Sequence, residues 1–199
     1  MTLYSDGTCL ESHCVRLVMA EKGIQFDLHV IDPQNPPDTL QPLKPYTDGI
    51  IFADREVVLY EPQIVIEYLD ERFPHPPLMP VDPVARANNR LCRYRIQRDL
   101  YGHTEILQQA SNKKKSATAR RKLRENLISL APIFTQRNYF MSDDYSLMDC
   151  CLIPLLWRLP LFEIELPKQA KPVLNYANRL FSRESFQSCL SKTEREIQT

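Results

Sequence analysis

The sequence predicts two domains, a small α/β domain followed by an all-helical one. Three observations carry this. Short apolar runs alternate with helical patterns over residues 1–72, a proline-dense stretch covers 73–83, and helical periodicity then continues almost to the end. A length of 199 residues accommodates this plan. Hydrophobic residues make up 43% and charged residues 25%, which excludes disordered, collagen-like and membrane classes. Gly7, Gly23, Gly49 and Gly102 are too scattered for a G-x-G-x-x-G turn or a phosphate-cradling loop, so nucleotide enzymes of those two kinds are excluded.

The first domain, residues 1–72, begins with a strand at Thr2 to Tyr4, a loop through Cys9 and a helix from about Ser12 to Lys22. That helix places Val15, Val18 and Met19 on one face, and Gly23 stops it. Phe26, Leu28 and Val30 alternate with Asp27 and His29, the period of a strand with one buried face. Irregular, proline-rich chain is expected from Pro33 to Pro45. Ile50-Ile51-Phe52 and Val57-Val58-Leu59, separated by Asp54-Arg55-Glu56, then form a hairpin. Pro62 fits the first turn of a helix whose stripe is Ile64, Val65, Tyr68 and Leu69. The order β-α-β then β-β-α is the thioredoxin-like plan.

Residues 73–83 hold five of the 16 prolines, a density no helix or central strand survives, and form a linker. Beyond them, residues 84–199 form the all-α domain. Leu91, Tyr94, Ile96 and Leu100, then Leu123, Leu127, Leu130, Ala131 and Phe134, supply its apolar stripes. Ser146-Leu147-Met148-Asp149 is a capping-box start, and the apolar run from Cys150 to Trp157 is the central buried helix.

The net charge is zero, but it divides unevenly. Residues 1–83 carry five basic against fourteen acidic side chains, and residues 84–125 carry twelve against three. Such asymmetry marks separate interaction surfaces. The six cysteines include no C-x-x-C pair, and the four histidines lack zinc-ligand spacing, so neither a metal nor a cofactor is expected. No apolar stretch reaches about 18 residues and no leader pattern opens the chain, so the expected location is the cytoplasm, with thiols reduced and no membrane partner.

A thioredoxin-like domain, a proline-bearing linker and a helical domain with an S-x-x-D box together resemble the glutathione S-transferase architecture over the whole chain. Several stretches resemble the stringent starvation protein A family within it: Ser12-His13-Cys14-Val15-Arg16-Leu17, Ala20-Glu21-Lys22-Gly23, Leu155 to Pro160 and, most specifically, Glu67 to Pro80. The resemblance implies a homodimer without transferase activity that regulates transcription in starvation or stress. Its implied partner is RNA polymerase holoenzyme, with the sigma factor one candidate contact. The fold resemblance implies a dimer in which the N-terminal domain of one subunit faces the helical domain of the other, and the opposed charges here suit that pairing.

The alternative is a glutathione-dependent thiol transferase using Cys9, which stands where omega-kind transferases carry their nucleophile. A helix N-terminus can raise a thiolate fraction, and the spacing from Cys9 to Arg16 fits the pattern. The plain reading is a weakly reactive loop cysteine. Glutathione-binding relatives carry Val-Pro before the third strand, whose cis-proline exposes a docking edge; Gly49-Ile50 occupies that place, and a cis bond there costs about 2.5–4 kcal/mol. They also carry Glu-Ser or Asp-Ser at the next helix, where this chain has Glu61-Pro62. Proline removes a hydroxyl and an N–H donor from that anion site. Both departures count against glutathione binding; neither selects the regulator.

For partner binding, Phe73, Pro74, His75, Pro76 and Pro77 combine restrained prolines, a ring and an imidazole, a set that loses little entropy on docking. By composition alone it is a stiff linker. The resemblance implies more: in similar proteins a Pro-His-Pro segment lies in a surface pocket required for transcription activation, and Pro74-His75-Pro76 matches it without a gap. Arg86, Arg90 and Arg93 share a helix face as a candidate auxiliary basic surface for promoter DNA or an acidic partner. No helix-turn-helix accompanies them, so independent sequence-specific DNA binding is not expected.

Overall fold

The computed structural model describes residues 1–32, 37–46, 50–109 and 112–197. The chain divides into two compact units, Met1–Pro77 with Glu184–Ile197, and Leu78–Arg183. The sequence assigns 84–199 to one helical domain; in the structure its last described residues, from Glu184, group with the first unit.

The first unit is built from β1 (Thr2–Ser5), α1 (Leu10–Glu21), β2 (Asp27–Val30), β3 (Ile50–Asp54), β4 (Val57–Leu59) and α2 (Pro62–Arg72). The strands form one sheet in the order β2-β1-β3-β4, with β1 parallel to β2 and antiparallel to β3. Leu3 pairs with Leu28 on one side and Phe52 on the other. Leu3 and Phe52 share a fully buried core with Val15, Leu17 and Val18 of α1 and Val65, Ile66 and Leu69 of α2. This is the thioredoxin-like order read from the sequence.

Local signals set the element ends. Gly23, at φ +62°, takes the left-handed conformation after α1; its N–H donates to the Ala20 carbonyl and the Ile24 N–H to that of Met19. Those two bonds are a Schellman stop. Glu61 caps α2, its carboxylate accepting from the Gln63 N–H at 3.3 Å, and Pro62 occupies the first turn.

Three expectations change. The alternation at 26–30 predicts one buried face, yet β2 is exposed along its length, with Val30 at 69%. It lies at one edge of the sheet, and alternation reports a face on offer, not a neighbour that covers it. Ile64 is exposed, while Ile66 takes its place in the core of α2. Of the irregular stretch Pro33–Pro45, residues 33–36 lie outside the described residues, and Asp38–Tyr46 is a 3₁₀ helix.

The second unit is helical: α3 (Pro83–Arg95), α4 (Gly102–Gln109), α5 (Lys113–Ser129), α6 (Ile133–Gln136), α7 (Leu147–Trp157) and α8 (Lys171–Phe181). Every residue of α7 is buried. Both halves of its capping box form: the Ser146 side chain accepts from the helix N-terminus, and Asp149 Oδ2 accepts from the Ser146 N–H at 2.9 Å. The stripe expected on α3 is corrected. Leu91 and Tyr94 are 56% and 55% exposed, and α3 buries Asn89 and Arg93 instead. A π turn at Ile96–Tyr101 shifts the helical phase, so positions 91 and 94 no longer share a face with buried Ile96 and Leu100.

After α8 the chain returns to the first unit through α9 (Glu184–Cys189) and α10 (Lys192–Glu196). Glu194 is the hub of that return. Its carboxylate accepts from the Arg16 guanidinium at 2.6 Å and from its own Ser191 N–H at 2.8 Å, and it lies 3.4 Å from His13. Arg16 also donates to the Cys189 carbonyl and the Ser12 hydroxyl. The charges are buried, but the polar atoms that surround them supply matched partners.

Candidate partner-binding site

Helix α2 ends where Phe73 turns out of helical geometry, its N–H still donating to the Leu69 carbonyl at 3.0 Å. The next four residues, Pro74, His75, Pro76 and Pro77, are exposed, and the His75–Pro76 peptide is cis. Phe73 is half-buried with the Arg72 guanidinium over its ring at 5.8 Å. Arg72 in turn lies 3.6 Å from Asp54, which accepts from the Tyr68 hydroxyl at 2.8 Å. The five residues expected to meet a partner therefore form one continuous turn of the first unit.

The turn is anchored by a residue that the functional reading of the sequence does not single out. Lys22, at the C-terminus of α1, has a fully buried side chain whose Nζ lies 2.8 Å from Asp70 Oδ1. It donates to the carbonyls of Phe73 at 2.6 Å and Pro76 at 2.8 Å. Three acceptors thus match the three donors of an ammonium. The one sequence signal is the Lys22-Gly23 pair, a lysine at a helix stop where basic residues favour the dipole.

The surroundings of Cys9 favour its thiol over the thiolate. Its thiol donates to Glu11 Oε2 at 3.0 Å. Burial first, then the negative charge of Glu11, hold its pKa well above the ordinary thiol value, outweighing the Ser12 backbone N–H that acts the other way. Burial and that carboxylate, two residues along, outweigh the lowering that a helix N-terminus offers a thiol. Arg16 is committed to Glu194 and Ser12.

At the anion site the Glu61 carboxylate itself occupies the Gln63 N–H. Gly49 lies outside the described residues; Ile50 is buried in β3, paired with Ser5. The candidate basic surface is not assembled: Arg90 is exposed and Arg86 half-buried, but Arg93 is buried, donating to Asn89 Oδ1 at 3.0 Å. Other charges of the basic segment are matched locally, Arg120 with Glu163 and Arg98 with Asp99. Among the described residues no cluster of His, Cys, Asp and Glu could hold a metal ion, and no helix is long and apolar enough to cross a membrane.

Residues 3–77 match the glutathione S-transferase N-terminal domain family and residues 92–184 the C-terminal domain family. A "Stringent starvation protein A homolog" of Coxiella burnetii is 46% identical over 198 residues, covering 99% of this chain and 94% of that protein. One from Pasteurella multocida is 44% identical, covering 96% and 90%. The solved structure of rice GST1 in complex with glutathione superposes with a TM-score of 0.85 at 23% identity, covering 99% of this chain and 92% of that one, which shows the fold.

Proposed function

Because the chain belongs to the stringent starvation protein A family, on a glutathione S-transferase fold, we propose that it is an RNA polymerase-associated regulator acting by contact, not by turnover. The observation that carries this reading is the turn Phe73–Pro77, exposed from Pro74 on and held on a buried lysine. A rigid, solvent-facing Pro-His-Pro surface is suited to docking, since little entropy remains to be lost there.

The regulator works without glutathione transfer. A protonated, Glu11-bonded Cys9 is a poor nucleophile, and Glu61 fills the N-terminal donor that would otherwise receive a carboxylate. Its location is the cytoplasm and its working form a homodimer. Support for the dimer comes from exposed apolar residues in each unit, Val58, Tyr60 and Ile64 in the first and Val84, Leu91 and Tyr94 in the second. Promoter DNA is at most an auxiliary contact.

The test is capture of purified RNA polymerase holoenzyme by the immobilised chain. Binding by wild type and its loss on replacing Pro74, His75 and Pro76 together with alanine, at an unchanged melting temperature, supports the reading. Binding that survives the triple replacement refutes the assigned surface, and absence of wild-type binding refutes the partner.

A further inference from the structure

Residues 73–77 contain three prolines, none of which has an N–H to donate. A turn so poor in donors cannot hold itself by internal backbone bonds, yet its carbonyls still require partners. The donors come instead from α1, where Lys22 bonds the Phe73 and Pro76 carbonyls and so links the two flanks of Pro74-His75. Asp70, in the last turn of α2, fixes the ammonium from the other side.

We propose that Lys22 is a positioning residue for partner recognition: with Asp70 it holds the Phe73–Pro76 turn in one shape and presents Pro74 and His75 to the partner. The proposal rests on the functional reading above and adds the residue that determines the shape of its surface. Lys22 touches no partner itself. Without it the turn samples many shapes, and the partner must select among them, at a cost in affinity.

The test compares wild type with Lys22→Met and with the double variant Lys22→Met/Asp70→Leu, which removes the buried carboxylate together with its counter-ion. Affinity for RNA polymerase holoenzyme, melting temperature and the His75 imidazole NMR signals are read together. The double variant is expected to melt close to wild type, to bind holoenzyme about tenfold more weakly, and to show broadened or averaged His75 signals. A purely structural role for Lys22 would move the melting temperature and leave the affinity of the folded chain intact.

A double variant that binds as tightly as a binding wild type defeats this proposal alone; a wild type that does not bind defeats the functional reading and this proposal with it. NMR of the Lys22 ammonium in the wild-type chain needs no variant and decides the clamp if the variants do not fold. Slow exchange with water supports it, and exchange as fast as that of a surface lysine overturns it.

Discussion

Lys22 Nζ lies 2.8 Å from Asp70 Oδ1, and neither side chain is more than 8% exposed. A pair this deep is sensitive to losing one member, because a buried charge then loses its counter-ion. Lys22→Ala is expected to lower the unfolding free energy by about 3 kcal/mol. Replacing both residues with apolar ones is expected to recover most of that loss, a coupling that a double-mutant cycle in urea measures directly.

Asp149 gives the stability of the second unit a specific pH dependence. Burial raises its pKa to about 6, although hydrogen bonds from the Phe140 N–H, the Tyr176 hydroxyl and Ser146 favour the charged form. A carboxyl whose folded pKa lies above its unfolded value contributes stability that is fully present below the unfolded pKa, about 4, and is lost as pH rises through the folded one. The stability of wild type relative to Asp149→Asn, from urea denaturation, is therefore expected to fall by about 3 kcal/mol between roughly pH 4 and pH 7. A flat difference across that range refutes the shift.

Cys9 should be sluggish toward alkylation near neutral pH because its thiol is protonated and bonded to Glu11. Glu11→Gln removes the negative charge and is expected to speed iodoacetamide labelling of Cys9 by about tenfold, read by peptide mass spectrometry. Retention of the wild-type chain on glutathione resin, with elution by free glutathione, would restore the transferase alternative.

Arg16 depends on a residue far along the chain. Glu194→Ala strands its buried guanidinium and also removes half of the capping box of α10. A loss of about 3–5 kcal/mol is expected, and a chain ending before Glu184 should fail to melt cooperatively in its first unit. Wild-type stability in either variant would show that α9 and α10 are dispensable.

Legibility in the sequence followed the range of each signal. Gly23 and the Ser146-x-x-Asp149 box act within one helical turn, and the structure has both where the residues predict them. Burial was less readable. Leu91 and Tyr94 carry helical spacing, but which side of α3 meets its neighbours depends on the π turn that follows. Arg93 reads as surface charge but is buried, with Asn89, one turn earlier, accepting from it. The prolines and His75 of the candidate site were visible as a motif. Lys22 was not visible as their anchor, since the carbonyls it binds are 51 and 54 residues away, a distance no local pattern spans.

The grouping of Glu184–Ile197 with Met1–Pro77 has a consequence for biosynthesis. A ribosome makes Arg16 long before Glu194, which follows 178 residues later. Throughout that interval α1 carries an arginine whose buried counter-ion does not yet exist, together with a surface that α9 has not yet covered. Leu78–Arg183, by contrast, is one uninterrupted stretch, and all of it has been translated before the first unit has its last helix. Translation thus completes the two units in the reverse of the order in which it begins them.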